Sequence, residues 1–186
     1  MQKNTNVRIV TLLGFGVALN VIGAFIAFNL RLPIYLDSIG TVMVAILLGP
    51  KYAVLTGLTG SVVSGVTFDI YSIYFAPVQI TTGLIAGAVY KKGLLEGRKT
   101  PIGVFIYALP TAIVGSVISA FLFGGITSSG SSYIVQILKA IGISDVVSVF
   151  LTQIFTDYMD ELVALTMVRL ALKTLPKNIM LSITAK

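Results

Sequence analysis

Asp157, Asp160 and Glu161 fall within five positions of "FTDYMDELVALTMVRLALK" (155–173), in a run that is otherwise strongly apolar. On a helix they stand at i, i+3 and i+4 and share one face. Carboxylates so placed can line a polar pocket, relay a proton or sodium ion, or neutralise cations elsewhere in the fold. The chain has no histidine and no cysteine. That removes imidazole bases, thiol nucleophiles, disulfides and the usual zinc ligands together. Acid–base chemistry therefore rests on seven acidic residues. No Walker motif, G-x-S-x-G elbow or metal-ligand cluster occurs, so the sequence predicts no enzyme, no cofactor and no metal site.

The elements that must carry these acids are membrane helices. Of the 186 residues, 56% are hydrophobic and 11% charged, and the mean hydropathy is +0.97. A soluble domain is nearer a quarter charged, and this chain has too little polar surface to cover itself. Six helices are predicted, at about 7–30, 37–49, 51–67, 75–92, 101–124 and 145–175, forming one all-α, polytopic membrane domain over residues 1–186. Gly49-Pro50 breaks the second from the third. No cleavable signal peptide is expected, because the first apolar stretch is long and no A-x-A site follows it.

The cations orient this bundle. With the amino terminus in the cytoplasm, Lys3, Arg8, Lys51, Lys91, Lys92, Arg98, Lys99, Arg169, Lys173, Lys177 and Lys186 fall inside, and Arg31 and Lys139 outside. This is a strong positive-inside asymmetry, and an even number of spans returns the tail to the cytoplasm. The net charge of +6 then sets topology and calls for no nucleic-acid partner. Arg169 and Lys173 mark the inner end of the sixth helix, and Asp157 lies ~18 Å from Arg169 at 1.5 Å per residue. The acids therefore sit toward the outer side, where a charge facing lipid is costly and each should face the bundle interior, water or a partner. Either they line a pocket open to the outside, or they neutralise Arg31 or Lys139 or cap a helix break at Thr156. Glu161 lies at the edge of their face.

Three outer segments, 30–38, 68–77 and 124–144, are rich in Tyr, Ser, Gly and Asp. "SYIVQILKAIG" in the third suits a short amphipathic helix over the bundle, and its Ser/Gly portion is either a lid or a linker. Tyr35, Tyr71, Tyr74 and Tyr158 either stack on a flat ligand or belong to an interfacial aromatic belt. Gln79 lines a site or satisfies frayed backbone. Asp37 either caps the second helix or touches a ligand. Gly14 and Ala18, like Gly23 and Ala27, put small residues on one stripe of the first helix, and Gly57, Ser61 and Gly65 repeat the device in the third. Such stripes pack inside the bundle or dock a second membrane subunit.

"LPIYLDSIGTVMVAILLGPKYAVLTGLTG" (32–60), "IYFAPVQITTGLIAGAVYKKG" (73–93) and "DELVALTMVRLALKTLPK" (160–177), with the six-helix layout, resemble the substrate-binding S component of an energy-coupling factor (ECF) vitamin transporter. The closing segment usually reads Asp-Lys in that family and reads Asp160-Glu161 here. The resemblance implies a multi-pass protein of a bacterial plasma membrane. It would bind a water-soluble vitamin under the outer loops and topple in the bilayer to deliver it inward. It would dock through its first helix, Gly14 and Ala18 included, on a membrane scaffold subunit that carries two cytoplasmic ATPases. Family site positions map onto Asn29, Arg31, Tyr35, Asp37, Tyr71, Tyr74, Gln79, Asp157, Tyr158 and Asp160.

Charge narrows the vitamin. Six acids (Asp37, Asp69, Asp145, Asp157, Asp160 and Glu161) against two bases on the outer side disfavour an anion such as folate or pantothenate. Cobalamin, riboflavin, thiamin and pyridoxine-type or hydroxymethylpyrimidine compounds remain. Small Gly and Ser side chains favour a wide cavity and hence cobalamin. Two other classes stay open: a membrane enzyme acting on lipids or prenyl groups, and an assembly protein without a ligand.

Overall fold

Gly49 takes φ +92°, a conformation that glycine alone adopts freely, and Pro50 follows at the first position of a helix, where its missing N–H costs nothing. Together they turn α2 (Ile39–Leu47) into α3 (Pro50–Thr67) as a hairpin. Before it runs α1 (Gln2–Leu30). After it come the single turn α4 (Tyr71–Tyr74), then α5 (Ala76–Lys91), a 3-10 turn at Gly97–Lys99, α6 (Thr100–Phe123), α7 (Ser131–Ala140) and α8 (Asp145–Thr174). The computed structural model describes residues 2–174, with side chains from Val7 onward. Lys177, Lys186 and the side chain of Lys3, counted above for orientation, lie outside the described residues.

The six expected helices form, α1 starting five residues before its predicted start and the others within two residues of their predicted ends; α4 is an unexpected turn, and α7 is the short helix expected in the third outer segment. The described residues hold no strand. α3 packs chiefly on α5 and α1, α6 chiefly on α8, and α2 is enclosed by α1, α3, α5 and α8. Seven of the nine residues of α2 are buried. At ~1.5 Å per residue it is too short to cross a bilayer, and its neighbours shield it instead.

The burial pattern is inverted relative to a soluble protein. Val10, Phe15, Ile22, Phe25 and Leu30 of α1 are exposed, as are Val117 and Phe121 of α6, while Asn20, Thr41, Gln79, Gln153, Asp157, Asp160 and Glu161 are buried. Apolar faces outward and polar groups inward suit a hydrocarbon surround. Two stretches, Val7–Leu30 and Gly97–Phe123, are long and apolar enough to cross a membrane by length and composition.

Small residues set the close approaches. A Cβ on Gly40 would collide with the carbonyl of Gly16, one on Gly23 with that of Leu36, and one on Gly65 with Ile73. Of the predicted stripes, Gly23 with Ala27 and Gly57 with Ser61 and Gly65 are buried in the bundle. Gly14 and Ala18 are exposed, and nothing lies within 4 Å of a Cβ built on Gly14.

Candidate functional site

The segment between α1 and α2 is shaped by two left-handed residues, Arg31 (φ 52°) and Leu36 (φ 54°), a conformation that non-glycine residues enter at a cost. The surroundings hold it. The Leu36 N–H donates to Asp160 Oδ1 at 2.8 Å, and the Gly130 N–H donates to the Leu32 carbonyl at 3.0 Å. The turn at Leu36 carries Asp37 away from the helix behind it. Ser38 is the N-cap residue of α2, without a side-chain cap. The free amides of Gly40 and Thr41 instead donate to Asn20 Oδ1 of α1, at 2.7 and 3.2 Å. Asp37 was one expected cap, and Asn20 does that work from a different helix. Asn20 Nδ2 also donates to Thr41 Oγ1 (2.8 Å), which donates to Gln79 Oε1 (2.8 Å).

Under this segment lies a cavity of about 610 Å³, counted to its mouth. Its wall is drawn from six places: the 31–38 segment, α4 with the residues around it, α5, α6, the stretch between α6 and α7, and α8. Of the residues expected at a site, Tyr35, Asp37, Tyr71, Gln79, Asp157 and Asp160 line it. Four others lie elsewhere. Asn29 is exposed and its amide donates to the Phe25 carbonyl of its own helix. Arg31 is exposed. Tyr74 packs edge-on against Phe123, and Tyr158 against Phe105. Helical spacing explains Tyr158, since it follows Asp157 by one position and cannot share its face.

The 124–144 segment covers the cavity. Thr127 and Ser128 line it, Ser128 Oγ donates to Asp69 Oδ2 at 2.7 Å, and Tyr35 Oη pairs with Ser131 Oγ at 3.1 Å and donates to Gln153 Oε1 at 3.2 Å. The Ser-rich stretch is therefore joined to both other loops. α7, expected as an amphipathic helix, forms here. It buries Ser131, Ser132 and Val135 and exposes Tyr133 and Ile137.

Sequence reasoning placed Glu161 at the edge of the acid face and left it out of the site. The structure buries it and lines the cavity with it. Its Oε2 accepts from Ser38 Oγ (3.0 Å), its Oε1 from Thr82 Oγ1 (3.1 Å) and its carbonyl from Tyr107 Oη (3.1 Å). One residue of α8 thus ties the start of α2, α5 and α6 together. Asp69, Ser72, Phe75, Thr111, Gly115 and Gln153 also line the cavity and were not expected there. Asp69 had a usable signal, an acid in a Tyr-rich loop. Gly115 and Gln153 had none short of tertiary contacts.

Among the described residues none of Asp157, Asp160 and Glu161 meets a base. Among the described residues the ion pair that involves either candidate cation is Lys139 with Asp145 at 3.1 Å, and Thr156 Oγ1 bonds back to the Thr152 carbonyl. The alternative in which the acids neutralise Arg31 or Lys139, or cap a break at Thr156, is corrected by these contacts. Asp37 is half-open by surface area because it faces the cavity, yet protein surrounds it. Desolvation pushes its carboxyl up to about 6, the nearby Asp69 charge adds to this, and the Gln79 hydrogen bond opposes it. Burial, and then the Asp157 charge, push the Tyr35 hydroxyl up, so it stays a neutral donor at ordinary pH.

The division of labour at Glu161 is testable. Glu161→Leu leaves the Ser38 and Thr82 hydroxyls without their acceptor and is expected to cost about 2–3 kcal/mol, read as a fall in the thermal midpoint of the purified protein. Glu161→Gln keeps an acceptor oxygen and should lose well under half of that. Equal losses for the two variants would mean that the charge, and not the hydrogen bonding, holds the helices.

The family model described as ECF-type riboflavin transporter, S component, matches residues 4–184. No curated protein and no solved structure matches the chain.

Proposed function

Because the chain belongs to the family of ECF-type riboflavin transporter S components, and so is a substrate-binding membrane subunit of a transporter, we propose that its cavity receives a water-soluble vitamin of about riboflavin's size. One observation carries this reading: a cavity open at its mouth and lined by aromatic, hydroxyl, amide and carboxyl side chains lies under three joined loops, at the end of the bundle away from Lys51 and Lys91. A cleft with an aromatic wall and a few convergent polar groups is the usual form of a small-molecule site. Small Gly and Ser side chains argued from sequence for cobalamin. Here Gly57 and Gly65 are spent on packing against α5 and Ile73, and the remaining space suits a compound much smaller than a corrinoid with its nucleotide loop. Riboflavin, the vitamin in the family's name, is one such compound.

The orientation follows the same lines. Lys51, Lys91, Lys92, Arg98 and Lys99 are all exposed at one end of the bundle, which supports a cytoplasmic placement of that end and an extracellular mouth for the cavity. Both termini inside fit this arrangement, with the short α2 and the 31–38 segment before it together making the return pass between α1 and α3. The exposed Gly14–Ala18 stripe supports docking on a scaffold subunit that carries two ATPases, and delivery by toppling of the loaded protein against it.

Radiolabelled uptake tests the reading in cells that lack their own vitamin importers. The chain, expressed with a scaffold and its ATPases, is expected to drive accumulation of riboflavin or of another vitamin of similar size, dependent on all components. Accumulation of cobalamin alone would overturn the size argument. No accumulation of any vitamin, with the complex assembled, would overturn transport.

A further inference from the structure

Five carboxyl groups line the cavity, those of Asp37, Asp69, Asp157, Asp160 and Glu161, and no lysine or arginine does. Three of them have hydrogen-bond donors. Asp69 accepts from Ser128 and from the Tyr71 N–H, Asp160 from the Leu36 N–H, and Glu161 from Ser38 and Thr82, while Asp37 is half-open at the cavity. Asp157 is the buried carboxyl without a donor. It is 7% exposed, it lines the cavity, and among the described residues no hydrogen bond or ion pair reaches its carboxylate. Gly115 keeps it open from the α6 side. A Cβ there would stand 3.8 Å from Asp157 Oδ2 and 3.1 Å from Gln153 Nε2, so a longer side chain would cover the group.

A buried carboxylate without a partner is costly unless something occupies it. Like charges gathered at low dielectric add to that cost. With no base in the wall, the carboxyls are satisfied either by protons or by a positive charge that arrives with the ligand. The other wall groups fit an aromatic ring: Tyr35, Tyr71 and Phe75 line the same cavity, and aromatic faces attract cations.

We infer that the site selects a vitamin-sized ring compound bearing a positively charged nitrogen, held by Asp157, over a neutral flavin. This rests on the vitamin-receptor reading and names the class of ligand within it. The titratable groups that share the cavity wall with Asp157 are Tyr35 and Asp37 of the 31–38 segment, Asp69 after α3, Tyr71 of α4, and Asp160 and Glu161 of its own helix; none is basic. Acidification should therefore weaken binding, because protonation removes negative charge from the wall. Asp37 loses its charge as the pH falls through about 6.

Thermal stabilisation of the purified full chain separates the possibilities, because a ligand bound by the native state raises its apparent stability. The probes are thiamin and pyridoxamine as cationic rings, riboflavin as a neutral ring and pantothenate as an anion. At least one cationic ring is expected to stabilise the protein at tenfold lower concentration than riboflavin, and to need tenfold more at pH 5 than at pH 7.5. Asp157→Asn should erase that preference without lowering the midpoint of the unliganded protein. Gly115→Ala, which presses on Gln153 Nε2 and fills space beside the carboxylate while keeping its charge, should weaken the cation as well. Riboflavin binding tightest, with Asp157→Asn neutral, would overturn the cation assignment and leave the vitamin receptor standing. Stabilisation by none of the four would take down both.

Discussion

Gly40→Leu is expected to abolish the fold, and Gly40→Ala to weaken it severely. A Cβ at Gly40 would run into the Gly16 carbonyl of α1, which is backbone and cannot swing aside as a side chain can. α1 and α2 would have to separate. Their separation would also break the bonds from Asn20 to the Gly40 and Thr41 amides, at 2.7 and 3.2 Å. Those amides sit in the buried start of a nine-residue helix with no side-chain cap of its own. Overpacking and lost buried hydrogen bonds then add, for a cost above about 4 kcal/mol in the leucine variant. With no tryptophan in the chain, far-ultraviolet circular dichroism in detergent gives the melting curve and size exclusion the folded fraction. A Gly40→Leu protein that elutes and melts like the parent would show that α1 and α2 do not pack as described.

The same glycine shows what could and could not be read in advance. The helices were legible because long apolar runs interrupted by Gly49-Pro50 and by Tyr/Ser-rich loops leave few alternatives in a bilayer. The shared face of Asp157, Asp160 and Glu161 was legible from their spacing alone. Their separate duties were not. Periodicity says which side chains point together and nothing about which find partners, and here Asp160 holds a strained loop, Glu161 joins three helices and Asp157 is left open.

Asp37 shows a local rule giving way to tertiary structure. An acid beside a helix start suggests a cap. Leu36 in a left-handed conformation turns Asp37 to the cavity, and an asparagine some twenty positions earlier supplies the cap. Gly40 likewise read as an ordinary member of "LDSIGT", since its need for a bare Cα comes only from Gly16 on another helix.

Ala18→Trp, and Gly14→Trp beside it, are expected to block assembly with the energy-coupling subunits while leaving ligand binding intact. Both residues are exposed in the isolated chain. A Cβ on Gly14 meets nothing within 4 Å, and replacing that glycine by alanine should leave stability equal or up to about 1 kcal/mol higher, through helix propensity alone. The neighbouring small residues Gly16, Gly23 and Ala27 are buried inside the bundle. The intramolecular reason for a small side chain therefore holds for them and fails for Gly14 and Ala18. What remains is close approach by another helix, which small residues four apart permit and an indole prevents. Copurification of the tagged chain with scaffold and ATPases reads assembly, and the ligand-induced rise in thermal midpoint reads binding. The expected result is a loss of tenfold or more in captured scaffold with an unchanged ligand response. Full capture with tryptophan at both positions would move the docking surface elsewhere on the apolar exterior. Loss of ligand response together with capture would mean that the stripe supports the bundle from within.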